Sequence, residues 1–510
     1  MYTRPLWGGR VPACPSKWKT SMLWLAIHLP HLPLEVYSRG LLEAMPLVVS
    51  DGHARSPSVL DCNAVAMEQG IQNGMPLGAA HALSPRLHVR TQDTLAEQQI
   101  LEGLAAWAGQ FSSLVSLQPG QGILLEIGGS LRLFGGAEPL MAQIREGLAA
   151  LGYDAGLAVA PTPEAARVLV LSGQDRYLDD LDSMRALLAR LPLHYLDLPL
   201  DILQALKGLG LVSVRDLRRL PRDGMTRRYG PALTRYLDRL LGHSADPRQP
   251  YVVPARFHSR LILPAEVESA PALLFAVRRL LQELDGFLRA RCYGARHLLW
   301  TLIHDQAADT VFELGLSHTV RDVSYLTELM QTRLESLQIP EAAEELILQV
   351  SDMAPLSGEE GDLSLQAGPR SMDVAQPAVL IERLHARLGD ELVTGLASLP
   401  DHRPEKAWQF VQRDAILRPV RHRQGAEPHS PLRPLWLLSE PERLSQHRRR
   451  PCYRGALQLL KGPERIESGW WDGQPIRRDY YIASNTQGER FWIFRSLDEP
   501  QIWYLHGVFA

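Results

Sequence analysis

Short apolar runs separated by turn residues fill the first 160 positions. Leu23-Trp-Leu-Ala-Ile-His28 has no polar position until its end, as expected of a strand covered on both faces. Residues 46–50 and 59–62 read as further short strands, and a helix over 63–69 is closed by Gly70. A longer helix is predicted over 95–111. Strands over 122–127 and 131–134, joined through Gly128-Gly129, then a helix over 137–151 and a strand over 155–160, complete a β-α-β pattern.

Beyond Ala160 the pattern turns helical. Leu206-Lys-Gly-Leu-Gly-Leu211, followed by Val214-Arg-Asp-Leu217, reads as a helix-hairpin-helix. Gly208 and Gly210 permit a tight turn whose backbone N–H groups can meet a DNA phosphate. Lys207, Arg215, Arg218, Arg219, Arg227 and Arg228 surround that turn and complete a candidate DNA-binding set, with Arg235 and Arg239 further on. From 257 to 350 the order is strand (257–263), helix (271–289), strands (295–304 and 310–316), helix (320–337) and strand (344–350). Residues 353–372 are acidic and bear Gly and Ser, which suits a linker. A helix follows over 378–388, and the Pro- and Arg-rich stretch 418–434 is expected to be extended. The tail is β-rich, with strands predicted over 434–438, 455–460, 478–482, 490–494 and 502–509 and a turn-rich stretch over 462–472. Trp470, Trp471, Tyr480, Tyr481, Trp492 and Trp503 lie there as candidates for a partner-binding surface or a small β core.

Composition changes this picture little. At 510 residues the chain has room for roughly three or four domains. A net charge of −3 excludes a wholly basic nucleic-acid coat but leaves room for local basic faces. Cys14, Cys62, Cys292 and Cys452 are widely spaced, which argues against a zinc knuckle or a disulfide framework and for a reducing compartment. No apolar run reaches the ~18 residues of a membrane span. The first 20 residues lack the apolar middle of a signal peptide, so a cytoplasmic protein is expected, with Met22 as its natural start and 1–21 as an upstream extension or disordered tail.

Several segments resemble the Y-family (translesion) DNA polymerases, with departures at the chemistry. Residues 25–35 resemble that family's strand-end Asp-x-Asp motif, but His28 and Pro30 fall on the two Asp positions and Leu32 and Pro33 on the aromatic pair. Residues 118–127 resemble the Ser-x-Asp-Glu segment, with Gln121 and Gly122 on the acids. The fingers segment keeps Gly70 and Met75-Pro76 but carries Ala64 and Met67 where Tyr and Arg would hold a triphosphate. After the strand at 155–160, Pro163 and Arg167 fall on two Lys positions, and Arg167 alone reads as an exposed helix charge. Phosphoryl transfer by two metals needs several carboxylate oxygens, which Pro and Gly cannot supply. His28, His31 and Glu35 have zinc-compatible donor types, but Pro30 and Pro33 interrupt the spacing, so two strand-end histidines is the plainer reading. Glu126 is a nearby acid, placed beyond the ligand positions, where it is expected to satisfy a neighbouring polar group.

The tail segments Gly462-Pro-Glu-Arg-Ile-Glu-Ser-Gly-Trp-Trp-Asp472, Arg478-Asp-Tyr-Tyr481 and Trp503-Tyr-Leu-His-Gly507 resemble the end of ImuB proteins, catalytically inactive bacterial Y-family relatives. The resemblance implies an α/β multidomain fold: an extension (1–21), a palm and fingers (22–180), a helix-hairpin-helix thumb (190–250), a βαββαβ little finger (255–352), a linker (353–430) and a β-rich partner-binding module (431–510). It implies a non-catalytic, cofactor-free scaffold of damage-induced mutagenesis. That scaffold would bind DNA, a RecA-like ImuA partner, an error-prone C-family polymerase and the sliding clamp. Glu360, Leu363 and Leu365 stand where a clamp-binding peptide would be expected, with Glu360 in place of its Gln. The alternative is an active Y-family polymerase with an atypical metal site.

Overall fold

The computed structural model describes residues 22–40, 45–52, 55–118, 120, 122–267, 270–356, 372–389, 392–411, 432–448 and 450–509. The chain forms two compact units, Met1–Gly368 and Pro369–Ala510.

Unit one opens with strand β1 (Trp24–His28), helix α1 (Leu32–Ser38), β2 (Leu47–Ser50), β3 (Val59–Cys62), α2 (Ala64–Glu68), α3 (Leu77–Leu83) and β4 (His88–Thr91). It continues with α4 (Thr94–Ala108), β5 (Val115–Gln118), β6 (Gly122–Glu126), α5 (Ala137–Ala150), β7 (Gly156–Ala160) and α6 (Pro163–Leu171). Side-chain caps start several of these helices: Asn63 accepts from the Ala66 amide, Asp93 from those of Leu95 and Ala96, and Thr162 from that of Ala165. The main sheet has the order β5-β6-β1-β7, all antiparallel. Leu25, Ile27, Ile123 and Leu125 pack towards α4 and α5, while Trp24, Ala26, Leu124 and Ala158 pack towards α6. Both faces are thus covered, which is why the strand at 23–28 shows no alternation. The expected strand over 131–134 is instead a turn: the Leu131 amide bonds back to the Ile127 carbonyl and the Gly136 amide to that of Leu131. The neighbour of β6 is β5, whose polar Ser116 and Gln118 disguise it.

Four helices follow: α7 (Leu181–Leu188), α8 (Leu200–Gly208), α9 (Val214–Arg218) and α10 (Arg222–Tyr229), then α11 (Pro231–Leu240) closes the helical part. Next come β8 (Phe257–Val267), α12 (Leu274–Arg289), β9 (Tyr293–His304), β10 (Thr310–Val320), α13 (Val323–Ser336) and β11 (Ala343–Pro355). Their sheet has the order β10-β9-β11-β8. The last helix starts three residues later than the apolar pattern implies, because Asp322 caps it by accepting from the Tyr325 amide. α12 lies against α4. A Cβ on Gly286 would come within 2.0 Å of the Trp107 ring, and one on Gly147 of α5 within 2.4 Å of it. Beside this contact the buried Arg39 guanidinium pairs with Glu283 of α12 and donates to the Leu151 carbonyl at 2.8 Å.

Unit two holds α14 (Met372–Leu388), the hairpin β12 (Gly395–Ser398) and β13 (Trp408–Val411), and then β14 (Trp436–Arg443), β15 (Ser445–His447), β16 (Arg450–Cys452), β17 (Gln458–Ser468), β18 (Ile476–Ser484), β19 (Arg490–Ser496) and β20 (Trp503–Val508). Its five-stranded sheet has the order β14-β20-β19-β18-β17. Residues 462–468, expected to be turn, belong to β17 with shifted register, and the turn begins at Gly469. The hairpin of β12 and β13 lies inside the stretch read as linker; its runs are only four residues long, too short for the pattern to register. The Pro- and Arg-rich stretch falls mostly outside the described residues.

Candidate active site and nucleic-acid interface

In register, His28 at the end of β1 faces Gly122 of β6 on one side and Gly156 of β7 on the other. Gly122 has φ +149°, and a Cβ built there would stand 1.9 Å from the Ile27 carbonyl oxygen. No side chain of any kind fits without parting the two strands. Gln121 lies outside the described residues. Pro30 is exposed in the turn after β1, and Leu32 is buried in the core beneath it. His31 and Glu35 are engaged elsewhere: the His31 imidazole meets Asp61 at 2.9 Å, and Glu35 accepts from the Asp154 amide at 2.6 Å. Glu126 accepts from the amides of Leu23 at 3.3 Å and Gly128 at 3.0 Å, the polar-satisfaction role expected of it. Among the described residues no three His, Cys, Asp or Glu side chains are grouped as metal ligands.

The triphosphate-facing positions are also rearranged. Ala64 and Met67 are exposed on α2. Arg167, expected on the surface of α6, is buried. Its Nε donates to Glu164 at 2.8 Å and its Nη2 to the Tyr236 hydroxyl at 3.3 Å. Glu164 also accepts from Arg248 at 3.0 Å, and Arg248 pairs with Asp246. Burial works against the Arg167 charge, yet Glu164, Tyr236 and Asp197 together outweigh that and hold the guanidinium pKa above its ordinary value. The sequence shows that a cation occupies position 167; it does not show that an acid three residues earlier turns it inward.

The helix-hairpin-helix set is carried by α8, α9 and α10 and the turns between them. α8 runs into a turn at Leu209-Gly210, with Gly210 at φ +76°, and α9 starts with a reciprocal cap between Ser213 and Asp216. A Cβ on Gly208 or Gly210 would meet nothing within 4 Å, so the turn's backbone is open to an approaching phosphate. Lys207, Arg215, Arg218, Arg219, Arg227 and Arg228 are all exposed, whereas Val214 and Leu217 are buried beneath them.

The six tail aromatics divide. Trp470 and Trp471 are exposed, edge to face at 5.5 Å, in the turn after β17. Tyr480 and Trp492 are not available to a partner: they stack at 4.0 Å inside the sheet, where the Tyr480 hydroxyl meets the buried His506 at 2.8 Å. Trp503 is buried and Tyr481 half-buried, tilted together at 5.2 Å. Arg403 was not singled out by the sequence. It is buried between Asp401 and Asp472 and fixes the tryptophan turn to the loop before β13. The clamp-peptide candidates Glu360, Leu363 and Leu365 lie outside the described residues.

Residues 33–170, which carry β5, β6 and β7 of the main sheet, match the impB/mucB/samB family, a Y-family polymerase domain. Along its length the chain is similar to Protein ImuB of Caulobacter vibrioides, in strain NA1000 / CB15N and in strain ATCC 19089 / CIP 103742 / CB 15. Each is 29% identical over 473 residues, covering 86% of this chain and 100% of the relative. Among solved structures, DinB from Sulfolobus solfataricus (14% identity, TM-score 0.36) and an insertion ternary complex of Dbh DNA polymerase (14%, TM-score 0.38) each align with 66% of this chain and 100% of their own. Among the described residues no helix is long and apolar enough to cross a membrane.

Proposed function

We propose that the chain is a non-catalytic, polymerase-like scaffold of damage-induced mutagenesis and translesion synthesis. It holds DNA and brings to it an error-prone C-family polymerase, a RecA-like ImuA partner and the sliding clamp. The observation that carries this reading is the closure at Gly122, where a Cβ would stand 1.9 Å from the Ile27 carbonyl. A metal-binding acid at this strand end requires a side chain where the backbone leaves no space for one. The inward Arg167 and the likeness to Protein ImuB support the same conclusion. DNA contact is assigned to the exposed Lys207, Arg215, Arg218, Arg219, Arg227 and Arg228 around the Gly208–Gly210 turn, and partner contact to unit two, with Trp470 and Trp471 as its exposed aromatics.

The test is primer extension by the purified chain with Mg²⁺ and then Mn²⁺, on undamaged and abasic templates. The expected result is no incorporation together with salt-dependent binding of the same DNA. Replacing Arg218 and Arg219 by Glu should flatten the salt slope by about two and weaken binding roughly tenfold. Templated synthesis that survives purification would overturn the non-catalytic reading. Binding that ignores both salt and the Arg218/Arg219 exchange would overturn the DNA assignment.

A further inference from the structure

Residues 443–463 of unit two hold Arg443, Arg448, Arg449, Arg450, Arg454 and Lys461 and not one Asp or Glu, in a chain whose net charge is −3. The centre of this run is the two-stranded hairpin of β15 and β16. His447 pairs with Arg450 across it, and Arg448 lies in the turn between them. Of the two remaining cross-strand pairs, Ser445 with Cys452 and Gln446 with Pro451, the second lies on the opposite face and anchors the hairpin. Pro451 is buried and its carbonyl accepts from the Leu457 amide at 2.9 Å, while the Gln446 side chain donates to the Gln501 carbonyl. Next to it the buried Leu444 donates its amide to the Trp503 carbonyl at 2.8 Å. The hairpin is therefore a fixed element with one face tied down and the other, with its tip, in solvent: Arg443, His447, Arg448 and Arg450 are all exposed.

Two features separate this cluster from an ordinary solvated face. The first is ion pairing. Elsewhere in the unit Arg433 meets Glu464, Arg465 meets Asp479, Arg478 meets Glu405 and Arg495 meets Asp479. Among the described residues Arg443, Arg448 and Arg450 have no acid within ion-pair distance, and Arg454 has only a loose one, Glu489 at 3.6 Å. The second is turn chemistry. Tight hairpin turns with positive φ favour Asn or Gly, yet Arg448 stands at φ +50°. The position carries a charge at the expense of turn propensity.

We propose that this hairpin is a second nucleic-acid contact, gripping the phosphodiester backbone of DNA independently of the helix-hairpin-helix. The inference rests on the reading of the chain as a DNA-bound scaffold and adds a DNA contact to the unit assigned to partners. Guanidinium groups free of carboxylates, on a preformed hairpin, suit bidentate phosphate contact. Phosphate contacts of this kind fix position on the backbone and carry no sequence information of their own.

The experiment is a salt titration of affinity, by fluorescence anisotropy, of the full chain for a labelled single-stranded oligonucleotide and for the matching duplex. Two double variants are compared with the parent: Arg448→Glu with Arg450→Glu, and Arg448→Gly with Arg450→Thr. The second relaxes the positive-φ turn while removing the same charges, so a loss caused by misfolding would appear in the first and not in the second. Both should flatten the salt slope by about two and weaken binding roughly tenfold at low salt on at least one of the two DNA forms, with melting temperature held or raised in the Gly/Thr variant. Unchanged slopes in both variants, with the Arg218/Arg219 exchange still flattening the parent's slope, would overturn the hairpin contact and leave the scaffold reading standing. No slope in the parent would remove the reading beneath it. Unchanged slopes together with loss of a co-purifying protein would overturn the proposal in favour of an acidic protein surface.

Discussion

Burial pushes the Glu35 carboxyl up to about 7, against the Asp154 amide and the positive charges of His31 and Arg39, which pull it down. Its second oxygen has no hydrogen-bond partner, so the ionised form is poorly served at this site. Between pH 4.5 and about 7 the folded chain holds a proton here that the unfolded chain has released, so the contribution of Glu35 to stability falls as pH rises through that window and is level above it. A rise from 4.5 to about 7 is equivalent to roughly 3 kcal/mol at most. Glu35→Gln keeps an acceptor for the Asp154 amide and cannot ionise. It is expected to be close to the parent in stability at pH 5 and more stable by about 1–3 kcal/mol at pH 8, by urea unfolding. A difference between the two proteins that is the same at both pH values would show that Glu35 does not titrate in this way.

At the scale of elements, the contact between α4 and α12 turns on glycines that ordinary helix preference would discard. Exchange of a helical glycine for alanine normally stabilises by about 1 kcal/mol. At Gly286 the new methyl would lie 2.0 Å from the Trp107 ring, which the facing Gly147 already confines. Overpacking of this kind costs about 1–3 kcal/mol, so the clash outweighs the propensity gain. Gly286→Ala should lower stability, whereas the exchange of the exposed Gly78 in α3, whose Cβ would meet nothing within 4 Å, should hold or raise it. A rise in stability at Gly286, measured by chemical denaturation, would mean that the helices separate at little cost. The same contact shows what sequence pattern conveys and what it withholds. The apolar run at 23–28, the order of the four strands after 257 and the Gly208–Gly210 turn were legible, because burial on both faces, strand length and backbone freedom all leave local marks. The burial of Tyr480 and Trp492 and the role of Arg403 were not, because each depends on a partner far away in sequence, His506 or Asp472. The inward turn of Arg167 was not, because its local partner Glu164 is itself held by the distant Arg248. β5 escaped for a related reason. Its Ser116 is buried despite being polar, which breaks the apolar pattern.

At the scale of the whole chain, assigning partner contact to the tail makes the point of truncation matter. A cut before Arg433, where the β-rich pattern begins, would pass through unit two. Arg403 lies at the centre of a tie from the 401–406 loop to the turn after β17: it donates to Asp472 at 2.6 Å and to the Gln474 carbonyl at 3.2 Å, while Lys406 reaches Asp472 at 3.1 Å. Glu405 of the same loop pairs with Arg478 at 3.0 Å. Removing 433–510 deletes the acceptors Asp472 and Gln474 and the donor Arg478, and leaves the Arg403 guanidinium with Asp401 alone. The hairpin of β12 and β13, which presents Leu396, Trp408 and Phe410 to solvent, would lose its attachment at the same time. Removing Pro369–Ala510 follows the natural division and leaves unit one with its own cores. The chain ending at residue 368 is expected to keep the parent's unit-one unfolding transition and its helix-hairpin-helix DNA binding, while failing to co-purify with the ImuA-like partner and the C-family polymerase. The chain ending at residue 432 should fail in the same way and also be cut by protease within 392–411, where the full chain resists. Retention of both partners by the shorter chain would move the docking surface into unit one. Equal protease resistance of 392–411 in the full and 432-residue chains would mean that the Arg403–Asp472 tie does not hold that segment in place.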